Sequence, residues 1–464
     1  MNTPYTEIVN HLRHEFESTQ NSWSVSWRKS QLQSLIKLID EHTDEIAEAL
    51  HADLGKPAQE AWLTEIGIVR HEAQLALKHI DTWAKGKRHK TPLYLFPATS
   101  RVQPQPFGVA LIISPWNYPF QLLISPLIAA IAAGNVCVLK PSELSPATSQ
   151  LIAELIPRYL DPNAFAVIQG GPDETTQLLK EKFDVIFFTG GTRIAKFITR
   201  AAAEHLTPTI LELGGKSPTV IIHCKNLKSA AKKVAFAKYT NAGQTCVAPD
   251  YVLIEEKLKD SFIAELKSAI KAQFGEHGER MGKIIHERHY NRLKALLKSQ
   301  DIKMTLISGG NFEDERLFIA PTIVEVTPDH PLMQEEIFGP ILPILTISAK
   351  EGQTLTDTAL KMISAHPTPL ACYLFSDDKK DIKPFKRLRC GGFVYNDALM
   401  HVSNIHIPFG GIGTSGMGQS HGYSGFCAFS HHRAELIQSG FIDIPFRYPP
   451  YSPTIWNLIK KFLG

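Results

Sequence analysis

A chain of 464 residues holds about three typical domains' worth of material, and 44% hydrophobic with 20% charged residues is an ordinary globular composition, which excludes a disordered tail or a mini-scaffold. The formal charge of +3, with basic and acidic residues mixed along the chain, offers no concentrated basic face, so no nucleic-acid partner is expected. Six cysteines without a C-x-x-C pair or a histidine at metal-ligand spacing point to neither a disulfide framework nor a metal centre, and no basic stretch leads into an apolar run after Met1, so a reducing cytoplasm is the expected compartment.

The first eighty residues read as helices, with Leu32, Leu35, Ile36 and Ile39 at helical spacing in a charged background. A basic run at 85–90 and then Pro92, Pro97, Pro104 and Pro106 predict an extended excursion over 84–106, which taken alone is a solvated loop. No charged side chain occurs from Phe107 to Leu139, a length that raises the question of a membrane span; Pro115, Pro119, Pro126 and Gly134 interrupt it, and it reads as buried strand, loop, helix and strand. From residue 109, short apolar runs at 109–113, 136–139, 165–168 and 185–188 alternate with helix-length segments, the rhythm of βαβ units in a parallel sheet. Ser145 and Pro146 predict an N-cap and first helical residue, and Pro157 a stop. A second alternating series starts near Thr209 and ends near Tyr395. The predicted fold class is therefore α/β with two doubly wound domains, ligands binding beyond the carboxyl ends of the strands.

Several residues along this frame are suited to chemistry. Cys246 follows Asn241-Ala242-Gly243-Gln244-Thr245, a small polar loop in which a thiol can be exposed to backbone N–H groups; an isolated cysteine is more often a small buried hydrophobe, and Cys137 within an apolar run fits that pattern. Glu212, flanked by Leu211 and Leu213 before Gly214-Gly215-Lys216, is an acid in apolar surroundings, suited to general acid or base work or to capping a turn. Asn117 in Pro115-Trp116-Asn117-Tyr118-Pro119 offers an amide to an oxyanion from a proline-stiffened loop. Lys140 and Glu143 close the second strand, where a nucleotide ribose would lie, and Gly190, Gly191 and Thr192 stand between a strand and a helix, offering N–H groups to a phosphate without matching G-x-G-x-x-G.

Taken together, these segments and Glu335-Glu336-Ile337-Phe338-Gly339-Pro340 resemble the aldehyde dehydrogenase superfamily in the family's order, from about residue 100 to 435, and Glu212 stands 34 residues before Cys246 as the family's base and nucleophile do. Pro408-Phe409-Gly410-Gly411, Ser415-Gly416-Met417-Gly418 and Arg447-Tyr448-Pro449-Pro450-Tyr451 resemble the class-three branch of fatty and aromatic aldehyde dehydrogenases. The resemblance implies a cofactor-binding domain over 1–83 and 107–208 and a catalytic domain over 209–396. It further implies a bridging, oligomerising element over 84–106 and about 425–450, a site-proximal loop region over 397–424, and a homodimer. It implies Cys246 as nucleophile, Asn117 at the oxyanion and Glu212 as base. Lys140 and Glu143 would lie at the adenosine ribose, Gly190, Gly191 and Thr192 near the pyrophosphate, and Glu336, Phe338, Pro115 and Trp116 at the nicotinamide end. Glu143 favours NAD by repelling a 2′-phosphate, while Lys140 beside it keeps NADP open. Where the family commonly has a second glycine after Thr-Gly, this chain has Ala195. The implied reaction oxidises medium or long-chain aliphatic or aromatic aldehydes to acids with NAD(P) through a thioester; the alternatives are a thiol esterase using Cys246 and Glu212 without redox turnover, and a catalytically idle scaffold, against which the retention of all three site residues argues. The C-terminal stretch with Trp456, Ile459, Phe462 and Leu463 beside two lysines is too short to span a bilayer and either packs on the partner subunit or rests weakly on a membrane surface.

Overall fold

Val109–Ile113 and Val136–Lys140 are buried at every position, as strands covered by helices on both faces must be. In the computed structural model, which describes residues 4–19, 23–298, 304–349, 351–444 and 447–463 (the side chains of 462 and 463 excepted), they lie inside a six-stranded sheet. Its order is Gly416–Met417, Thr209–Leu213, Val185–Gly190, Val109–Ile113, Val136–Lys140, Phe165–Val167, parallel except for the first strand. The connections reverse direction between Val109–Ile113 and Val185–Gly190, so the crevice of a doubly wound sheet opens beyond the carboxyl ends of those two strands.

The second sheet has seven strands in the order Met304–Ser308, Thr322–Val326, Ile341–Ile347, Tyr251–Glu255, Pro218–Ile221, Ala371–Phe375, Gly392–Tyr395, with only the first antiparallel to its neighbour. Each sheet has its own apolar core. The loops that enter the second sheet's strands at their amino ends, Gly214 to Ser217, Cys246 to Asp250 and Glu335 to Pro340, face the carboxyl ends of the first sheet's strands. The site thus forms where one sheet's exits meet the other's entrances.

Several expectations change. The domain boundary expected at 208/209 moves beyond Leu213, because Thr209–Leu213 pairs in register with Val185–Gly190 and its apolar side chains join the first core. Residues 425–429 also leave the bridging element: Phe426 and Phe429 are fully buried in the first core. Ser145 occupies the N-cap position of helix Pro146–Tyr159, but its hydroxyl donates to the Ser142 carbonyl, and it is Asp53, from helix Thr43–Leu54, that accepts from the Ala147 and Thr148 amides. Pro157 does not stop that helix, which runs on to Tyr159; a proline inside the last turn forfeits a single hydrogen bond.

The excursion over 84–106 is not a bare loop: Lys87–His89 and Thr99–Pro106 form an antiparallel sheet with Ser430–Ile437, which supplies its outer strand. The uncharged stretch from Phe107 to Leu139 is strand, loop, the helix Gln121–Ala133 and strand, and no helix among the described residues is long and apolar enough to cross a membrane.

Candidate active site

The backbone leading to Cys246 is coiled tightly. Asn241, Ala242 and Gly243 have φ of 54°, 53° and 73°, a left-handed run that only glycine adopts without strain, and a Cβ on Gly243 would sit 2.3 Å from the Gly339 carbonyl oxygen. Side chains over-determine this turn. Asn241 Nδ2 donates to the carbonyls of Asn117 (2.7 Å) and Gln244 (3.1 Å), Asn117 Nδ2 donates to the Gln244 carbonyl (2.9 Å), and the Tyr118 and Thr245 hydroxyls bond at 2.6 Å. The Asn117 loop is clamped in turn: Lys56 pairs with Glu65, both fully buried, and Lys56 donates to the Asn117 carbonyl while Glu65 Oε2 accepts from the Phe120 and Gln121 amides. Glu65 reaches this position from Trp62–Ile66, a π-helical turn that rotates its carboxylate inward.

Cys246 is partly exposed and is shared by two larger cavities. One, of about 270 Å³, is walled by Pro115, Trp116, Asn117, Thr189, Gly190, Gly191, Glu212, Gly214, Glu336 and Phe338, and so gathers eight of the sequence-predicted residues around the thiol. The other, of about 150 Å³, is a mainly apolar tunnel whose lining includes Ile68, Leu122, Phe236, Leu399, Met400 and Phe409. Thr192, Lys140 and Glu143 stand outside both. Thr192 opens helix Thr192–Ala203 just past Gly191, where the first N–H groups have no intrahelical acceptor. Lys140 is buried and donates to the carbonyls of Pro141 (2.8 Å) and Gly170 (2.5 Å), while Glu143 is exposed. Ala195 is 2% exposed, its methyl in the core between helix and sheet and not on the cleft wall.

Burial dominates the electrostatics. It pushes the Cys246 thiol well above the usual thiol range, with Glu336 and Glu212 adding to the effect and the Cys246 and Val247 N–H groups opposing it. It raises the Glu212 carboxyl to about 8, against the hydrogen bond from the Ser420 hydroxyl. Glu336 is raised to about 8 by burial and then by Asp250, with the Gly215 N–H, Lys216 and Arg292 opposing. A thiol that shares a cleft with two carboxyls raised by burial is arranged for covalent chemistry with proton transfer.

Sequence reasoning missed the residues that hold the Glu336–Phe338 loop. Lys216 is ion-paired with Asp250 and donates to the carbonyls of Leu332 (2.8 Å) and Glu335 (3.0 Å), and Asp250 Oδ1 accepts from the Ile337 N–H. From helix Glu287–Lys298, His289 Nε2 donates to the Phe338 carbonyl (2.7 Å) and Arg292 donates to the carbonyls of Glu336 and Ile337. Trp116 packs against the rings of Phe338, His289 and His286 at 5.4, 5.8 and 6.2 Å, and the Glu143 charge acts on His286, so one wall runs from the thiol to the second strand's end. The signal available was spacing: His286, His289 and Arg292 recur every third residue of a helical pattern.

The aldehyde dehydrogenase family model matches residues 4–434. The chain belongs to this family. It is 43% identical over 452 residues to the 4,4′-diaponeurosporen-aldehyde dehydrogenase of Staphylococcus aureus (strain NCTC 8325 / PS 47), covering 96% of each chain. It is 41% identical to mouse aldehyde dehydrogenase family 3 member B3, over 99% of this chain and 95% of the relative, which agrees with the class-three branch. A solved structure described as the substrate-bound state of Staphylococcus aureus AldH superposes with a TM-score of 0.95 at 42% identity, over the whole of both chains. The protein is thus an NAD(P)-dependent aldehyde dehydrogenase. The cleft has room for such a cofactor: Gly191 leaves its wall open, nothing lying within 4 Å of a Cβ built there.

Proposed function

We propose that aldehyde oxidation here runs through a thioester on Cys246. The observation that carries this reading is that one thiol is shared by a glycine-walled cleft and an apolar tunnel, with Glu212 on the cleft wall. The aldehyde enters by the tunnel and Cys246 attacks its carbonyl carbon, giving a tetrahedral oxyanion held by the second amide hydrogen of Asn117 and the Cys246 N–H. NAD(P), when bound, would supply the hydride acceptor. Glu336, fixed through Ile337 and Phe338, would hold the nicotinamide ribose, and Phe338 and Trp116 would support the ring. Glu212 in its ionised form then takes a proton from the water that cleaves the thioester; burial that raises the carboxyl to about 8 leaves only a minority ionised near neutral pH, and that minority is a stronger base than an ordinary glutamate carboxylate.

The tunnel's apolar lining suits medium and long-chain aliphatic or aromatic aldehydes, and the relative named for a diaponeurosporen aldehyde is consistent with a long apolar substrate. Lys140 is occupied by two carbonyls, leaving Glu143 as the exposed charge at the second strand's end, which favours NAD over NADP. A thiol esterase has no use for the glycine-walled cleft, so the redox reading is preferred. The free cysteines suit a reducing cytoplasm. NAD(P)H formation measured over an aldehyde chain-length series plus benzaldehyde tests this. Cys246→Ala should abolish turnover, and full activity would overturn the thioester route. In the same assay Glu143→Gln should shift the kcat/KM ratio toward NADP, and an unchanged ratio would reject the role of Glu143.

A further inference from the structure

A third cavity, of about 40 Å³, shares Glu212 and Cys246 with the cleft and runs from them to Glu72, Ser125 and His421. That is room for about two or three water molecules. Five buried polar atoms of residues on its wall have no protein partner: Glu212 Oε2, Thr189 Oγ1, Ser125 Oγ, His421 Nδ1 and Glu72 Oε2. They come from two strands, two long helices and the residue preceding helix Gly422–Ala428, so five separate elements border the one cavity. Water with two to four hydrogen bonds is the group that satisfies such a set. Glu72 is 2% exposed; its Oε1 accepts from the Gly422 N–H at 2.9 Å, and no ion pair to it occurs among the described residues. His421, stacked on Phe409 at 5.1 Å, borders both this cavity and the aldehyde tunnel.

We propose that Glu72 receives the deacylation proton from Glu212 through water in this cavity, and that His421 passes it to the tunnel. The inference rests on the reading of Glu212 as the hydrolytic base. As a water oxygen bonds to the thioester carbon, its proton moves to Glu212; the C–S bond breaks with its electron pair left on Cys246, and the carboxylic acid departs. The proton on Glu212 crosses the cavity water to Glu72 and leaves through the His421 imidazole to tunnel water, so both carboxylates return to their starting state. Burial holds His421 below the usual histidine range, with Glu72 pulling the other way, so the ring is neutral between transfers and able to carry a proton.

Quenched-flow mixing with aldehyde and NAD, with intact-mass detection of acylated Cys246, reads formation and decay of the acyl-enzyme separately. Glu72→Gln keeps the bond from Gly422 and removes only the proton acceptor; Ser125→Val fills the cavity with methyl groups and leaves both carboxylates. Each should slow acyl-enzyme decay about tenfold or more with formation unchanged, and Glu72→Gln should enlarge the solvent deuterium effect on decay. Decay within twofold of wild type in both variants, or formation and decay falling together, would overturn the relay. Glu212→Gln run alongside separates the two levels: wild-type decay in that variant overturns Glu212 as the base, whereas slow decay there with fast decay in Glu72→Gln overturns the relay alone.

Discussion

Burial shifts the titration of two residues in this site away from what they show in water. Glu212 is raised to about 8 by burial, from an ordinary glutamate value of about 4.3. Between those two values the folded chain keeps a proton on this carboxyl that the unfolded chain has released, so Glu212 makes the fold less stable as pH rises through that window. Glu212→Gln removes the dependence. Its melting temperature relative to wild type should therefore climb by about 4 °C between pH 5 and pH 9. A difference that stays constant over that range would mean the carboxyl titrates normally. Cys246 carries the opposite tension: its surroundings favour the neutral thiol, yet attack requires the thiolate, so the ionised form depends on proton uptake by a neighbouring carboxyl.

At the scale of elements, the strands were legible because a parallel sheet covered on both faces needs short uninterrupted apolar runs, and 109–113 was read at its observed bounds. Sheet membership was not legible. Thr209–Leu213 is the same kind of apolar string whichever sheet it joins, and only register with Val185–Gly190 decides. Nor was the clamp under the site, because Lys56, Glu65, Lys216 and Asp250 are charged residues whose ordinary place is the surface, and their burial depends on partners that the chain brings together only in three dimensions. Two glycines show how the loops differ in their demands. Gly243→Ala forces a methyl onto the Gly339 carbonyl in a left-handed conformation and should cost about 1–3 kcal/mol while lowering kcat. Gly191→Ala has open space and an extended backbone, so it should fold normally and raise KM for the cofactor alone. Thermal melts with steady-state kinetics on both variants check this; equal stability would remove the strain argument.

For the whole molecule, the three-stranded sheet presents Ser430–Ile437 as an edge with Leu436 and Ile437 exposed, which we propose as part of a homodimer contact. Replacing both with glutamate should halve the mass in solution by light scattering, and an unchanged mass would place the contact elsewhere. The helix Pro453–Leu463 shows Trp456 and Leu458 to solvent and has Lys460 and Lys461 in its last turn, while the side chains of Phe462 and Leu463 lie outside the described residues. We assign this helix to packing on the partner. A chain ending after Ser452 should then sediment with liposomes no differently from the full chain, whereas weaker sedimentation would assign it to a membrane surface. The cleft and the tunnel that meet at the thiol share only Leu122 and Cys246 among their lining residues. Admission of the aldehyde and grip on the nucleotide are therefore written in nearly disjoint sets of positions. A library at Ile68, Phe236, Met400 and Val402 would remodel what the catalyst accepts while its redox partner is kept, and this family's plan can diversify in substrate range without renegotiating its source of oxidising power.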